Sequence, residues 1–270
     1  MQNNATDLNR NQLIAAAAGT LEVLEILGNA HDALTLGAIV AASGRPKGTV
    51  HRMLATLVNT GFAIQEPVTG RYRLTLKSWR LGAIAVRDLD VTRIAHPLLE
   101  RLRDETGETV HLTVLDPSGD VIYVSKVESP KSIRVQTRLG ELSPSWCTAT
   151  GRSLIAFNEK AAERVFARRL PTRTSRTVTD PRKLRSILGD VRRDGYAVTR
   201  AENHPEMGGV AAPIRDHMGS VSAACGAAIP VFRMDRELVD RIIPLVVRTA
   251  RDISHQLGYV ESSGVEANAA

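Results

Sequence analysis

Between residues 45 and 73 the chain sets cations among small residues. Arg45, Lys47, Gly48, Thr49, His51, Arg52 and Thr56 fall close together, and Arg71 and Arg73 follow. Glu66 is the single acid among them. Donors without acceptors suit phosphate oxygens and the acceptor edge of guanine. Glycine, alanine and threonine between them let a backbone come close to a large, flat partner. The chemistry is recognition, with no bond made or broken.

Two other constellations point elsewhere. Cys147 could act as a nucleophile with His111 or His204 as base, which would make the chain a Cys147-dependent hydrolase or transferase. A lone cysteine is more often an inert buried residue. His96, His111, His204 and His217 could in principle hold a metal. They lack the i, i+4 helical spacing and the tight Cys/His clustering of a zinc site. No metal and no cofactor is therefore expected.

Charge placement favours the first reading. The 270 residues carry a formal +6. Residues 1–33 hold −3, residues 34–80 hold +6, and the remaining 190 hold +3. The basic window thus carries as much positive charge as the whole chain. Ten aromatic residues are few for a single-strand stacking platform. Two cysteines, Cys147 and Cys225, exclude a disulfide-built secreted scaffold. The apolar stretch 13–18 is too short to span a bilayer and lacks a basic leader, so no membrane association and a cytoplasmic location are expected.

The elements that must position the basic residues are legible from periodicity. Leu21, Leu24 and Leu27, with Val23 and Ile26, predict a first helix over 19–27. Thr35 caps a second helix over 36–42, closed by a Ser43-Gly44 turn. Pro46 suits the first turn of a third helix, about 46–60. In that helix Val50, Met53, Leu54, Leu57 and Val58 form the apolar stripe. Gly48, Arg52, Ala55 and Thr56 then face the other way, flanked by Thr49 and His51. After Gly61 the period becomes strand-like, with a turn at 67–70 and Tyr72 and Leu74 alternating with Arg71 and Arg73. A helix-turn-helix followed by a basic hairpin is a winged reader of duplex DNA.

At this point the residues resemble a known family. The run Arg45-Pro46-Lys47-Gly48-Thr49-Val50-His51-Arg52-Met53-Leu54-Ala55-Thr56-Leu57, then Gly61-Phe62, then Thr69-Gly70-Arg71-Tyr72-Arg73-Leu74, is similar to the IclR family of bacterial transcription regulators. So are residues 144–152, 195–199 and 209–214, in the family's order. The resemblance implies an α+β chain: a winged helix-turn-helix (14–76), a linker helix (77–95), a GAF-like α/β effector-binding domain (96–260) and a disordered tail (261–270). It also implies a homodimer or tetramer on a palindromic operator. Two departures stand out. Gly48 replaces a frequent serine, and Gly226-Ala227-Ala228-Ile229-Pro230 replaces a Ser-x-Ser stretch whose hydroxyls could bind a carboxylate.

The C-terminal two-thirds reads as mixed helices and strands. Helices are predicted at 77–95, 98–106, 150–157, 181–194 and from the Asp235 cap to about 257. Strands are predicted at 110–115, 121–127, 133–136, 196–199, 210–214 and 221–229. By the family resemblance, Trp146, Thr148, Thr150, Met207, Gly209, Gly226 and Ala228 line an effector pocket. The lost hydroxyls speak against a short keto-acid. The expected effector is an aromatic or weakly polar carboxylic acid, held by its carboxylate at a helix N-terminus near Gly151. On this reading Arg52→Ala abolishes operator binding and leaves the fold intact. An electrophoretic shift assay beside a thermal melt checks it, and normal binding would place the recognition helix elsewhere.

Overall fold

The computed structural model describes residues 14–30, 32–87 and 90–260. The tail 261–270, expected to be disordered, lies outside the described residues. The chain forms two compact units, 1–86 and 87–270.

The first unit is built from three helices, a hairpin and a fourth helix. These are α1 (Ala15–Asn29), α2 (Leu36–Ser43), α3 (Lys47–Asn59), β1 (Ala63–Gln65), β2 (Tyr72–Leu74) and α4 (Leu76–Arg87). The Thr35 hydroxyl accepts from the Ala38 N–H at 3.2 Å, which caps α2. Gly44 then ends α2 in the left-handed conformation, its N–H on the Val40 carbonyl. Val50, Met53, Leu54 and Leu57 of α3 are buried against Val23 and Leu27 of α1. The buried stripe of α1 is Gly19, Val23 and Leu27. Leu21, expected on it, is 59% exposed, because the four-residue step follows the helix pitch better than the three-residue one. A side chain at Gly19 would press on the end of Met53, so glycine lets α1 and α3 close up. Pro46 stands one position before α3 as its N-cap and not inside it. In the hairpin Ala63 pairs with Leu74 and Gln65 with Tyr72, and a bridge from Tyr72 to Leu34 adds a third short rung.

The second unit begins with α5 (Asp90–Thr106), followed by β3 (Thr109–Leu115), β4 (Val121–Val127) and β5 (Leu142–Ser143). Then come α6 (Ala149–Ile155), α7 (Glu159–Phe166), α8 (Pro181–Asp194), β6 (Ala197–His204), β7 (Met207–Arg215), β8 (Val221–Pro230) and α9 (Arg236–Gln256). The strands form one antiparallel sheet in the order β5-β4-β3-β8-β7-β6. Strand alternation sorts its residues onto two faces. Val110, Leu112, Val210, Ala212, Cys225 and Ala227 pack against Leu99 and Leu102 of α5 and Ile242, Val246 and Ile253 of α9. Ala211 on the opposite face packs in a second core with Ile155 of α6, Val165 of α7 and Leu184 and Leu188 of α8.

Two expectations need correction. Within the linker helix expected over 77–95, α4 ends at Arg87 and α5 starts at Asp90, and residues 88–89 lie outside the described residues. Helix α5 runs through Pro97, where an interruption was expected. Proline there removes a backbone hydrogen bond, and burial of Ala95, Leu98, Leu99 and Leu102 against the sheet compensates for it. Residues 133–136 form no strand, since the Val135 carbonyl accepts from the Thr109 hydroxyl at 3.2 Å instead of a ladder N–H. Helix α7 and the short β5 went unforeseen.

Candidate functional site

In the first unit, α3 turns Lys47, Gly48, His51, Arg52, Ala55 and Thr56 to solvent, with Thr49 half-buried beside them. Nothing lies within 4 Å of where a Gly48 side chain would start, so this face is open at close range. Lys47, His51 and Arg52 make no ion pair among the described residues. Thr56 donates its hydroxyl back to the Arg52 carbonyl at 3.0 Å. Arg45 is different: its guanidinium is held by Glu22 at 2.7 Å and ties α3's entry to α1. On the hairpin, Arg71 reaches the Ala33 carbonyl at 3.4 Å and Arg73 lies 3.4 Å from Glu66. Both stay exposed. The open face therefore centres on Lys47, His51 and Arg52, with Arg71 and Arg73 on the wing.

In the second unit a cavity opens between the sheet and the start of α6. It holds about 530 Å³ of empty space, open solvent at its mouth included. Its floor is the sheet face opposite α5 and α9. His111, Gly226 and Ala211 sit on one row of that face, and Thr109, Ala228 and Gly209 on the next. Where larger side chains would fill the space, Gly209, Gly226 and Ala228 leave it open. A side chain on Gly226 would strike the Val210 carbonyl at 2.6 Å.

Thr148, Thr150, Met207, Gly209, Gly226 and Ala228 line this cavity; Trp146 does not. Trp146 is 4% exposed and packs in the core beneath α6, with the Arg168 guanidinium 5.2 Å from its ring. The segment before α6 turns as a 3-10 helix over Ser145–Cys147, which points Trp146 inward and Cys147 to the cavity. The aromatic wall is instead His111 and Tyr123, whose rings are 4.9 Å apart and tilted by 58°. Thr137, Thr199 and Asn203 add polar groups that sequence reasoning missed. Strand alternation places His111 opposite Val110 and Leu112, but nothing local shows that this face is hollow.

No charged side chain lines the cavity. His111 accepts or donates at Nε2 with the Thr137 hydroxyl at 2.5 Å. Burial, helped by the nearby Lys126 ammonium, pushes its pKa down to about 3, so the imidazole is neutral. Burial pushes the Cys147 thiol up to about 12 against the pull of Arg152 and Arg173. A neutral thiol and a non-basic imidazole are the reverse of an activated nucleophile and its base. His204 is exposed and accepts the Glu206 N–H at 3.2 Å. Among the described residues no group of three or more His, Cys, Asp or Glu could hold a metal. No helix among them is long and apolar enough to cross a membrane.

Two features hold the cavity in shape. Arg152 of α6 is 2% exposed; its Nε donates to the Trp146 carbonyl at 2.8 Å and its Nη1 to Glu202 Oε1 at 2.9 Å, and its Nη2 also pairs with Glu202. Glu202 sits where β6 breaks register between Arg200 and His204, beside Ala201 at a left-handed φ of 55°. That irregularity brings Asn203 to the cavity, 3.7 Å from the Cys147 sulfur. Gly151 completes the joint, since a side chain there would lie 2.3 Å from the Ser145 backbone. The hydroxyl of Thr148, the cap residue of α6, goes to the Pro144 carbonyl at 2.7 Å. The first N–H groups of α6 thus carry no side-chain cap.

Known proteins resemble both units. Residues 16–67 match the family described as the IclR helix-turn-helix domain, and residues 83–255 the one described as bacterial transcriptional regulator IclR C-terminal. The HTH-type transcriptional regulator KdgR of Escherichia coli is 32% identical over 215 residues, 79% of this chain and 81% of that protein. The crystal structure of an IclR regulator from Alicyclobacillus acidocaldarius superposes with a TM-score of 0.79 at 28% identity, covering 91% of this chain and all of that one. An IclR homologue from Microbacterium hydrocarbonoxydans, complexed with 4-hydroxybenzoate, gives 0.77 at 26% identity over 90% of this chain and 99% of its own.

Two outcomes follow from this geometry. Arg152→Met strands the Glu202 carboxylate and costs about 3–5 kcal/mol, while Arg152→Met with Glu202→Leu recovers most of it, by urea unfolding; equal losses would mean the pair does not act as a unit. The native state protonates His111 only near pH 3, the unfolded chain near 6.5. The unfolded state therefore binds more protons between those values, and stability falls as pH drops from 6.5 toward 3. His111→Gln should flatten that acid limb, and an unchanged limb would assign it to other groups.

Proposed function

The chain belongs to the IclR family of bacterial transcriptional regulators and so binds DNA through its helix-turn-helix, and we propose that an aromatic acid seated in its C-terminal cavity sets its operator affinity. The observation that carries this reading is the cavity itself: an apolar floor opened by Gly209, Gly226 and Ala228, beside the His111–Tyr123 ring pair. A flat ring fills such a space better than a short keto-acid does. With no charged lining residue, the carboxylate turns to the uncapped first turn of α6 and the hydroxyl of Thr150. The related protein with 4-hydroxybenzoate bound supports the same chemical class.

Lys47, Gly48, Thr49, His51, Arg52 and Thr56 meet the major groove in this reading, and Arg71 and Arg73 the adjacent backbone. Arg45, held by Glu22, acts by fixing the entry of α3. Two such heads on a homodimer would read a palindrome. Trp79, 64% exposed on α4 one turn from the exposed Leu76, offers apolar surface for a second copy to cover. Effector binding then shifts operator affinity by its differential affinity for two arrangements of the dimer. We assign no catalysis, because the buried thiol and imidazole are both neutral.

Isothermal titration with 4-hydroxybenzoate, benzoate, pyruvate and glyoxylate tests the effector class. Aromatic acids should bind, and Ala228→Leu, which fills the floor, should weaken them at least tenfold while the melting temperature holds. Binding by the short keto-acids alone would overturn the assignment.

A further inference from the structure

The +3 of residues 81–270 conceals a strong local imbalance. Residues 164–185 carry Arg164, Arg168, Arg169, Arg173, Arg176, Arg182, Lys183 and Arg185 against Asp180 alone, a net +7. The rest of that region is therefore net −4. This 22-residue segment is more basic than the whole helix-turn-helix window. It runs from the end of α7 through a connection into the first turn of α8.

Packing fixes these residues in place. Val165, Leu170 and Leu184 enter the core, so the polar sides of α7 and α8 face outward. Thr174 donates to the Ala201 carbonyl at 2.6 Å and Thr177 to the Glu202 carbonyl at 2.7 Å, which pins the connection to β6. Three of the cations have internal partners: Arg164 on the Pro117 carbonyl, Arg168 on Asp120, and Arg185 over the Phe166 ring. Arg169, Arg173, Arg176, Arg182 and Lys183 are exposed and make no ion pair among the described residues. Arg182 and Lys183 sit in the first turn of α8, which holds no acid. The helix dipole disfavours cations there unless an anion stands beside them. Asp180, the one acid, is occupied as the cap, accepting the Arg182 N–H at 2.8 Å.

We propose that residues 164–185 form a second DNA-contact face, which holds duplex phosphate without reading sequence. The surface chemistry selects this partner. No large aliphatic or aromatic side chain of the segment is exposed, so it lacks the apolar anchors of a protein interface and the stacking rings of a single-strand site. What remains is an ordered array of guanidinium groups and one ammonium, the footprint of backbone binding. The helix-turn-helix reads sequence, and this face would add phosphate contacts to the salt-dependent part of binding. The inference rests on the family's DNA binding and not on the effector assignment.

The test compares the full-length protein with its Arg176→Ala/Arg182→Ala/Lys183→Ala variant on a mixed-sequence duplex of about 40 base pairs, between about 50 and 200 mM salt. Each lost phosphate contact flattens the slope of log K against log salt by about 0.9, so the variant should be shallower by about 2 to 3. In the unsubstituted protein, the duplex should shield Lys183 from amine acylation. An unchanged slope would overturn the proposal, as would a Lys183 that labels equally with and without DNA. Arg52→Ala, assayed alongside, reports on the helix-turn-helix separately.

Discussion

The buried pair between Arg152 and Glu202 is the interaction on which the C-terminal unit depends. Arg152 is the largest of the fully buried side chains. Its guanidinium ties together three pieces of chain: the 3-10 turn through the Trp146 carbonyl, helix α6 that carries it, and the irregular stretch of β6. An ion pair so deep gains little net stability over a well-packed apolar pair. Its value is directional. A planar guanidinium satisfies a carboxylate and a carbonyl in one geometry only, and that geometry sets where Cys147, Thr150 and Asn203 stand.

The cavity follows from this joint and from missing side chains. Strand alternation delivers Gly209, Gly226 and Ala228 to one face, while their neighbours Val210, Cys225 and Ala227 pack the other. The same backbone therefore builds a dense core on one side and a hollow on the other. The hollow excludes charge: its one imidazole is neutral, and its thiol is protonated. Such a lining favours a ligand whose polar end meets fixed dipoles and whose body is flat and apolar.

Charge is distributed with the opposite logic. The cavity has none along its walls, and two solvent-facing segments have a large excess. One is the outer face of α3 and the wing; the other runs from Arg164 through the connection after α7 into the start of α8. A sum over the region 81–270 hides the second, since acids elsewhere cancel it. Charge becomes informative when counted over the length of a structural element and checked for ion pairs, because screening confines its reach to about 10 Å.

Much of the fold was legible in the sequence because it is local. The Thr35 and Asp235 caps, the Gly44 and Gly195 helix ends, the α3 stripe and the strand periods each depend on residues within a turn or two of one another. Those signals sufficed for a winged helix-turn-helix with Arg52 outward, and for alternating helices and strands beyond it. Tertiary structure decided the rest. Trp146 turned inward because a 3-10 turn and Arg152 hold it there, and Arg45 was taken by Glu22, 23 residues earlier. His111 joined the cavity because β3 pairs with β8, more than a hundred residues away. Short-range patterns fix helices, strands and their faces; which faces meet, and whether the space between them fills, depends on contacts that no local pattern encodes.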